Sequence, residues 1–138
     1  MPTLSNRSTA RNAANVATVL FGVTIILQLL LAAGILPITM AWGGREPVLT
    51  TNLRIASLAS AALLLFFVYV IRRRAGLVGE APIPTINRIL SWLITALSAL
   101  NFLGILASTS TGEQILFGPI SFVLIVSCFV VSRSELEV

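Results

Sequence analysis

Four apolar stretches, each close to the length of a membrane-spanning helix, constrain the fold of this 138-residue chain. They cover residues 14–36, 55–71, 89–107 and 114–131. A helix needs about 20 predominantly apolar residues to cross a hydrocarbon core of about 30 Å. With flanking residues added to the shorter stretches, we predict helices at 14–36, 51–71, 86–107 and 112–132. The sequence therefore predicts an all-α fold, with one domain of four transmembrane helices over residues 1–138.

The composition indicates that lipid is the solvent of this chain. Hydrophobic residues make up 57% of it and charged residues 10%, whereas soluble domains carry about 25% charged residues. We therefore expect a multi-pass protein of the cell membrane, in the plasma membrane of a prokaryote, with membrane lipids as its first partners. A homo-oligomer or a partner membrane protein is also compatible with this class.

The residue inventory excludes several chemistries. The chain has no His, Lys or Asp, so all nine basic residues are Arg and all five acidic residues are Glu. Histidine ligation of a metal or haem, a lysine Schiff base and an aspartate proton relay are excluded, and we expect no metal and no cofactor. No nucleophile and base lie together at membrane depth, so we do not expect an enzyme. The arginines lie at the ends of apolar stretches, not in one exposed patch, which argues against nucleic acid as a partner.

The distribution of arginines predicts the orientation. Arg45 and Arg54 lie on one side of the predicted helices. The other seven lie on the opposite side: Arg7, Arg11, Arg72, Arg73, Arg74, Arg88 and Arg133. By the positive-inside rule both termini are cytoplasmic, which requires an even number of crossings and agrees with four helices. The run Arg72 to Arg74 is interpreted as a stop signal and headgroup anchor, in preference to a regulated lipid-binding patch.

Polar and small residues recur on one face of the third and fourth stretches. In the third stretch they follow steps of four, four, three and three: Asn87, Ser91, Thr95, Ser98 and Asn101. In the fourth they form a heptad-like seam: Gln114, Gly118, Ser121, Ile125, Cys128 and Ser132. Such stripes are typical of helix packing, with Ser and Thr hydroxyls bonded to carbonyls of their own helix. The alternative is that they line a ligand site or a solute path.

The strongest polar groups of the four predicted helices fall in the outer half of the membrane. We predict a pocket that contains Gln28, Arg54 and Asn101, with Glu113 near its rim. Glu113 also fits a capping box with Ser110, and Arg54 also fits a side chain that reaches out to lipid headgroups. In the loop between the first two helices, Trp42 is placed for an interfacial aromatic belt and is included as a candidate contact.

Two arrangements of this pocket satisfy its polar groups. In the first, Arg54 pairs with Glu113 and Gln28 with Asn101, and the cluster only stabilises the bundle. In the second, a ligand completes the network and Arg54 faces an anionic or carbonyl group.

Two functions are compatible with these features. The first is a non-catalytic binding or accessory protein whose outer pocket recognises a lipid, a small amphiphile or a partner helix. The second is a small homo-oligomeric channel or transporter for a polar or anionic solute, with the stripe of the third helix lining the path. The pocket is favoured, because a path needs polar lining throughout and the second stretch is apolar from Leu63 to Val68.

Overall fold

The chain folds into four α-helices in the computed structural model, which describes residues 4–37, 48–79 and 84–134, with side chains from residue 8 onward. The helices are α1, Leu4–Ala33; α2, Thr51–Arg74; α3, Thr85–Leu106; and α4, Thr111–Arg133. Each is long and apolar enough to cross a membrane. The prediction of an all-α fold with four helices of this kind is confirmed.

Helix α1 begins ten residues before the apolar stretch in which it was predicted. Ala10, Ala14 and Ala17 follow a spacing of four and three and are all buried, so the packed face of α1 continues upstream of residue 14. The intervening Arg11 and Asn12 are exposed and lower the local hydropathy. Hydropathy therefore located the part of α1 that is apolar all round, and missed the amphipathic turns before it.

The beginning of α4 carries the predicted N-terminal cap with one difference. The hydroxyl of Ser110 accepts a hydrogen bond from the backbone N–H of Glu113 at 3.1 Å. In a capping box the Glu side chain would reach back to the Ser110 amide. Here that amide instead donates to the hydroxyl oxygen of Ser108 at 3.0 Å, and the Ser108 hydroxyl donates to the Glu113 carboxylate. Ser108 thus completes the box between the two residues.

Consecutive helices run antiparallel. Helix α1 packs extensively against α2 and α4, and α3 packs against α4, while the contact between α2 and α3 is much smaller. We call the end of the bundle that holds Arg72, Arg73, Arg74, Arg88 and Arg133 the arginine-rich end, and the other the opposite end. The small contact between α2 and α3 is the feature of the fold that creates the candidate site.

The half of the bundle near the arginine-rich end is closely packed. Its core contains buried residues of all four helices: Ala14, Ala17, Val70, Ile71, Ile94, Cys128 and Val131. Polar groups in this half bond to the protein itself. Asn87 Nδ2 donates to the backbone oxygen of Val70 at 3.1 Å, and the hydroxyls of Thr95 and Ser132 lie 3.1 Å apart. Here α2 and α3 are joined, and the polar stripe of α3 contributes to packing.

Two of the three consecutive arginines join α2 to neighbouring helices. Arg72 Nη1 donates to Asn15 Oδ1 at 3.1 Å and to Thr18 Oγ1 at 3.2 Å, both on α1. Arg74 is only 4% exposed and donates to the backbone oxygens of Ser132, at 3.3 Å, and Ser134 at the end of α4. A cation at a helix C-terminus satisfies its last carbonyls and complements its dipole. The interpretation of this run as a headgroup anchor is therefore wrong for Arg74, which is a buried helix cap.

Candidate functional site

Between α2 and α3 the bundle contains a cleft with a volume of about 440 Å³. Residues of all four helices line it, and its α2 and α3 walls include Leu63 and Leu97. These two leucines are 51% and 40% exposed, and Asn101 on the same side is also exposed. The cleft is therefore open sideways, through a mouth between Leu63 and Leu97 on the lateral surface of the bundle.

Aromatic and aliphatic side chains close the cleft toward the arginine-rich end. The rings of Phe21 and Phe67 meet edge to face with their centroids 6.0 Å apart, and both are buried together with Leu124. We call these three residues the floor of the cleft. Beyond the floor lies the packed core of the arginine-rich half, so the cleft occupies only the other half of the bundle.

The strongest polar groups of the cleft lie toward the opposite end of the bundle. Gln28 and Asn101 each lie five residues before the last residue of their helices, Ala33 and Leu106, which is about 7.5 Å at 1.5 Å per residue. Glu113, in the first turn of α4, is 7% exposed and also lines the cleft. The cleft is thus amphipathic along its length, with an apolar floor and carboxylate and amide groups toward the opposite end.

The hydrogen bonds of these three residues differ in how fully they satisfy the side chains. The Oε1 atom of Gln28 is buried and has no hydrogen-bond partner within the described part of the chain. The Nδ2 of Asn101 donates to the hydroxyl of Ser121 at 3.4 Å, a long contact. The Glu113 carboxylate accepts from the Ser108 hydroxyl. An unpartnered buried amide oxygen costs on the order of 1–3 kcal/mol, so a ligand donor at Gln28 would be stabilising.

Hydroxyl groups lie between the polar end and the floor. Thr24, Ser60, Ser98 and Ser121 all line the cleft at intermediate levels. Thr24 Oγ1 donates to the backbone oxygen of Leu20 at 2.9 Å, as is common for a threonine inside a helix. These short side chains make the middle of the cleft wide and weakly polar.

Three of the five residues predicted for the site line this cleft: Gln28, Asn101 and Glu113. Arg54 does not, since it is exposed in the first turn of α2 and lies outside the lining. Trp42 falls outside the described residues. The predicted bond between Gln28 and Asn101 is not formed within the described residues, because Asn101 bonds to Ser121 instead.

Sequence reasoning missed the apolar walls of the cleft. Leu63, Leu97 and the floor residue Phe67 carry no signal in the sequence that separates them from apolar residues on the outside of the bundle. Gly104 also lines the cleft, and a Cβ atom placed there has no atom within 4 Å apart from its chain neighbours and the nearby backbone of α3. A glycine flanked by Asn101 and Ile105 on one helical face is the signal that would have indicated open space.

The described residues contain no group of three or more His, Cys, Asp or Glu side chains that could hold a metal ion. Comparison of the chain with known proteins gives no match among protein-family models, curated proteins or solved structures. The geometry of the cleft is therefore the basis for any functional conclusion.

Proposed function

We propose that this chain is a multi-pass membrane protein that binds a small amphiphile in the cleft between α2 and α3. Large apolar side chains cover the outside of the bundle, among them Leu100, Ile115 and Phe122, each more than half exposed. A soluble protein rarely exposes such a continuous apolar surface, whereas hydrocarbon solvates it. The membrane in question is a prokaryotic plasma membrane, with the arginine-rich end in the cytoplasm.

The main support for the binding proposal is that the cleft is amphipathic and opens on the lateral surface of the bundle. A molecule dissolved in the bilayer reaches the mouth between Leu63 and Leu97 without leaving the hydrocarbon. Its chain then contacts the floor, while its head lies near Gln28, Asn101 and Glu113. The volume of about 440 Å³ falls within the range of roughly 300–1,000 Å³ of small-molecule pockets.

The occupant is better described as a small molecule than as a partner helix. A partner helix that spans the membrane runs through both halves of the hydrocarbon core. The cleft ends at its floor in the middle of the bundle, so it suits a molecule shorter than a spanning helix. The role is therefore that of a binding or accessory protein, and it requires no catalytic group.

The distribution of packing supports a pocket in preference to a solute path. A path needs polar lining through both halves of the membrane. In the arginine-rich half, Asn87 and Thr95 bond to the protein itself, and Ser91 Oγ donates to the backbone oxygen of Arg88 at 2.8 Å. All three are buried beneath the floor of the cleft. The cleft therefore ends inside the bundle.

Reporter fusions test the orientation. Because seven arginines lie on one side and two on the other, a reporter fused after Ala75 should read cytoplasmic, and one fused after Thr111 should read external. Phosphatase and fluorescent-protein fusions at the two positions give complementary signals. An external reading at Ala75 would reject the proposed topology.

Photo-cross-linking tests the binding site. The protein in liposomes is irradiated in separate experiments with an alkylamine and with an alkanoate, each with a diazirine in its chain, and the labelled peptides are mapped by mass spectrometry. We expect saturable adducts at Leu63, Leu97 and the floor, and only unsaturable labelling at lipid-facing Leu65 and Phe122. Labelling by both probes that no excess of unlabelled probe reduces, at the cleft and outside it alike, would reject the binding site.

A further inference from the structure

We infer that the amphiphile bound in the cleft carries a protonated primary amine as its head group. This inference rests on the proposed function, since it names the chemical class of the molecule that the same cleft binds. It follows from the kind of polar atom that the cleft presents: three residues at its polar end offer oxygen acceptors, and the described residues that line it offer no cation.

Gln28 provides the first acceptor. Its Oε1 is buried without a partner among the described residues, yet the residue as a whole is only partly buried. Rotation of its side chain therefore moves the amide oxygen into the cleft that the residue already lines. A ligand N–H that reaches this oxygen relieves the cost of an unsatisfied buried acceptor.

Asn101 and Glu113 provide the other acceptors. Because Nδ2 of Asn101 donates to Ser121, the carbonyl oxygen of the same amide remains as an acceptor toward a ligand. Glu113 is the only charged residue among the described residues that line the cleft. Its carboxylate accepts from Ser108, and each carboxylate oxygen can take more than one hydrogen bond.

A primary ammonium matches this set of atoms. It has three N–H donors, no acceptor and one positive charge, so it complements two amide oxygens and a carboxylate at once. A quaternary ammonium has the charge without the donors, and an alcohol has one donor without the charge. An anionic head would face Glu113 with the same sign of charge, and Arg54, the cation expected from the sequence to receive it, lies outside the cleft.

Four probes with the same ten-carbon chain test this inference: decylamine, decyltrimethylammonium, decanol and decanoate. Each is titrated against the wild-type protein in nanodiscs of zwitterionic lipid, in competition with the photo-cross-linkable alkylamine. We expect decylamine to compete at least tenfold more strongly than decanoate. It should also compete at least threefold more strongly than decyltrimethylammonium and decanol. Short methylamine, which lacks the chain, should compete poorly.

Two charge variants identify the group that sets the preference. In Glu113→Gln the side chain still accepts from Ser108 and still suits a capping box, so the fold is retained. We expect the ratio between decylamine and decanoate to fall below about threefold in this variant. Arg54→Gln serves as the matched control and should leave the ratio unchanged.

The outcomes separate the head-group inference from the proposed function. If all four probes compete equally, the binding site is supported but the inference of an amine head group is wrong. If decanoate competes more strongly than decylamine and this advantage is lost in Arg54→Gln, the head group is anionic and the inference is again wrong. An amine preference that survives in Glu113→Gln also contradicts the inference. If none of the probes competes and no saturable adduct forms, both the proposed function and the head-group inference are wrong.

Discussion

Replacing Arg74 by Gln is expected to lower the free energy of unfolding by about 3 kcal/mol or more, because two buried carbonyl oxygens lose a charged donor. These are the oxygens of Ser132 and Ser134, at the C-terminus of α4. The shorter neutral side chain reaches neither of them in the same geometry, and the helix terminus also loses a complementary charge. Removal of one partner from a buried charged contact typically costs about 3–5 kcal/mol.

Arg73→Gln is the matched control. It removes the same charge from the same run, so any effect on membrane orientation is shared by the two variants. Arg73 is only partly buried, so solvent can replace the contacts that its guanidinium makes. We expect this variant to lose about 1 kcal/mol or less, as measured by denaturant unfolding in detergent micelles. Equal losses in the two variants would mean that the α4 cap does not contribute as described.

Gly104→Leu is expected to weaken binding of the amphiphile more than tenfold without loss of stability. Gly104 lines the cleft, and a Cβ atom there has no atom of another helix within 4 Å, so a leucine side chain has room to fill the site that the ligand occupies. Within a helix, Leu is favoured over Gly by up to about 1 kcal/mol, so the variant should be at least as stable as the wild type.

Gly22→Leu separates occlusion of the cleft from a general effect of replacing a helical glycine. A Cβ atom placed on Gly22 in α1 also has no atom of another helix within 4 Å, but this residue does not line the cleft. The variant should show the same gain in helix stability and unchanged affinity in the competition assay. Equal loss of affinity in both glycine variants would mean that the cleft is not the binding site.

The four helices were predictable because a helix long and apolar enough to span a membrane gives a local signal, a high hydropathy averaged over about 20 residues. The start of α1 was not predictable, because Ala10 contributes to packing but little to the local hydropathy. Burial of Arg74 was also not predictable, since the same charged run suits both a headgroup anchor and a helix cap. Only the position of the α4 terminus, 58 residues further along the chain at Ser132, decides between them.

The polar part of the site was predictable for a similar reason. Gln28 and Asn101 are costly in hydrocarbon unless they face the interior or a cavity, so their presence in apolar stretches is informative. Arg54 was placed in the pocket because it is a strong polar group near the outer end of its helix. Ser57 and Ala61, on the same face of α2, are buried, but Arg54 in the first turn is exposed. The cleft itself arises from the spacing of α2 and α3, which no local pattern encodes.

The most direct test of the binding site is native mass spectrometry of the protein extracted from its own membrane in mild detergent. We predict that the wild type and Gly22→Leu retain one small amphiphile per chain, that solvent extraction releases it, and that Gly104→Leu retains none. Equal retention by Gly104→Leu and the wild type would contradict the account, as would a wild-type protein that carries only bulk lipid in variable number.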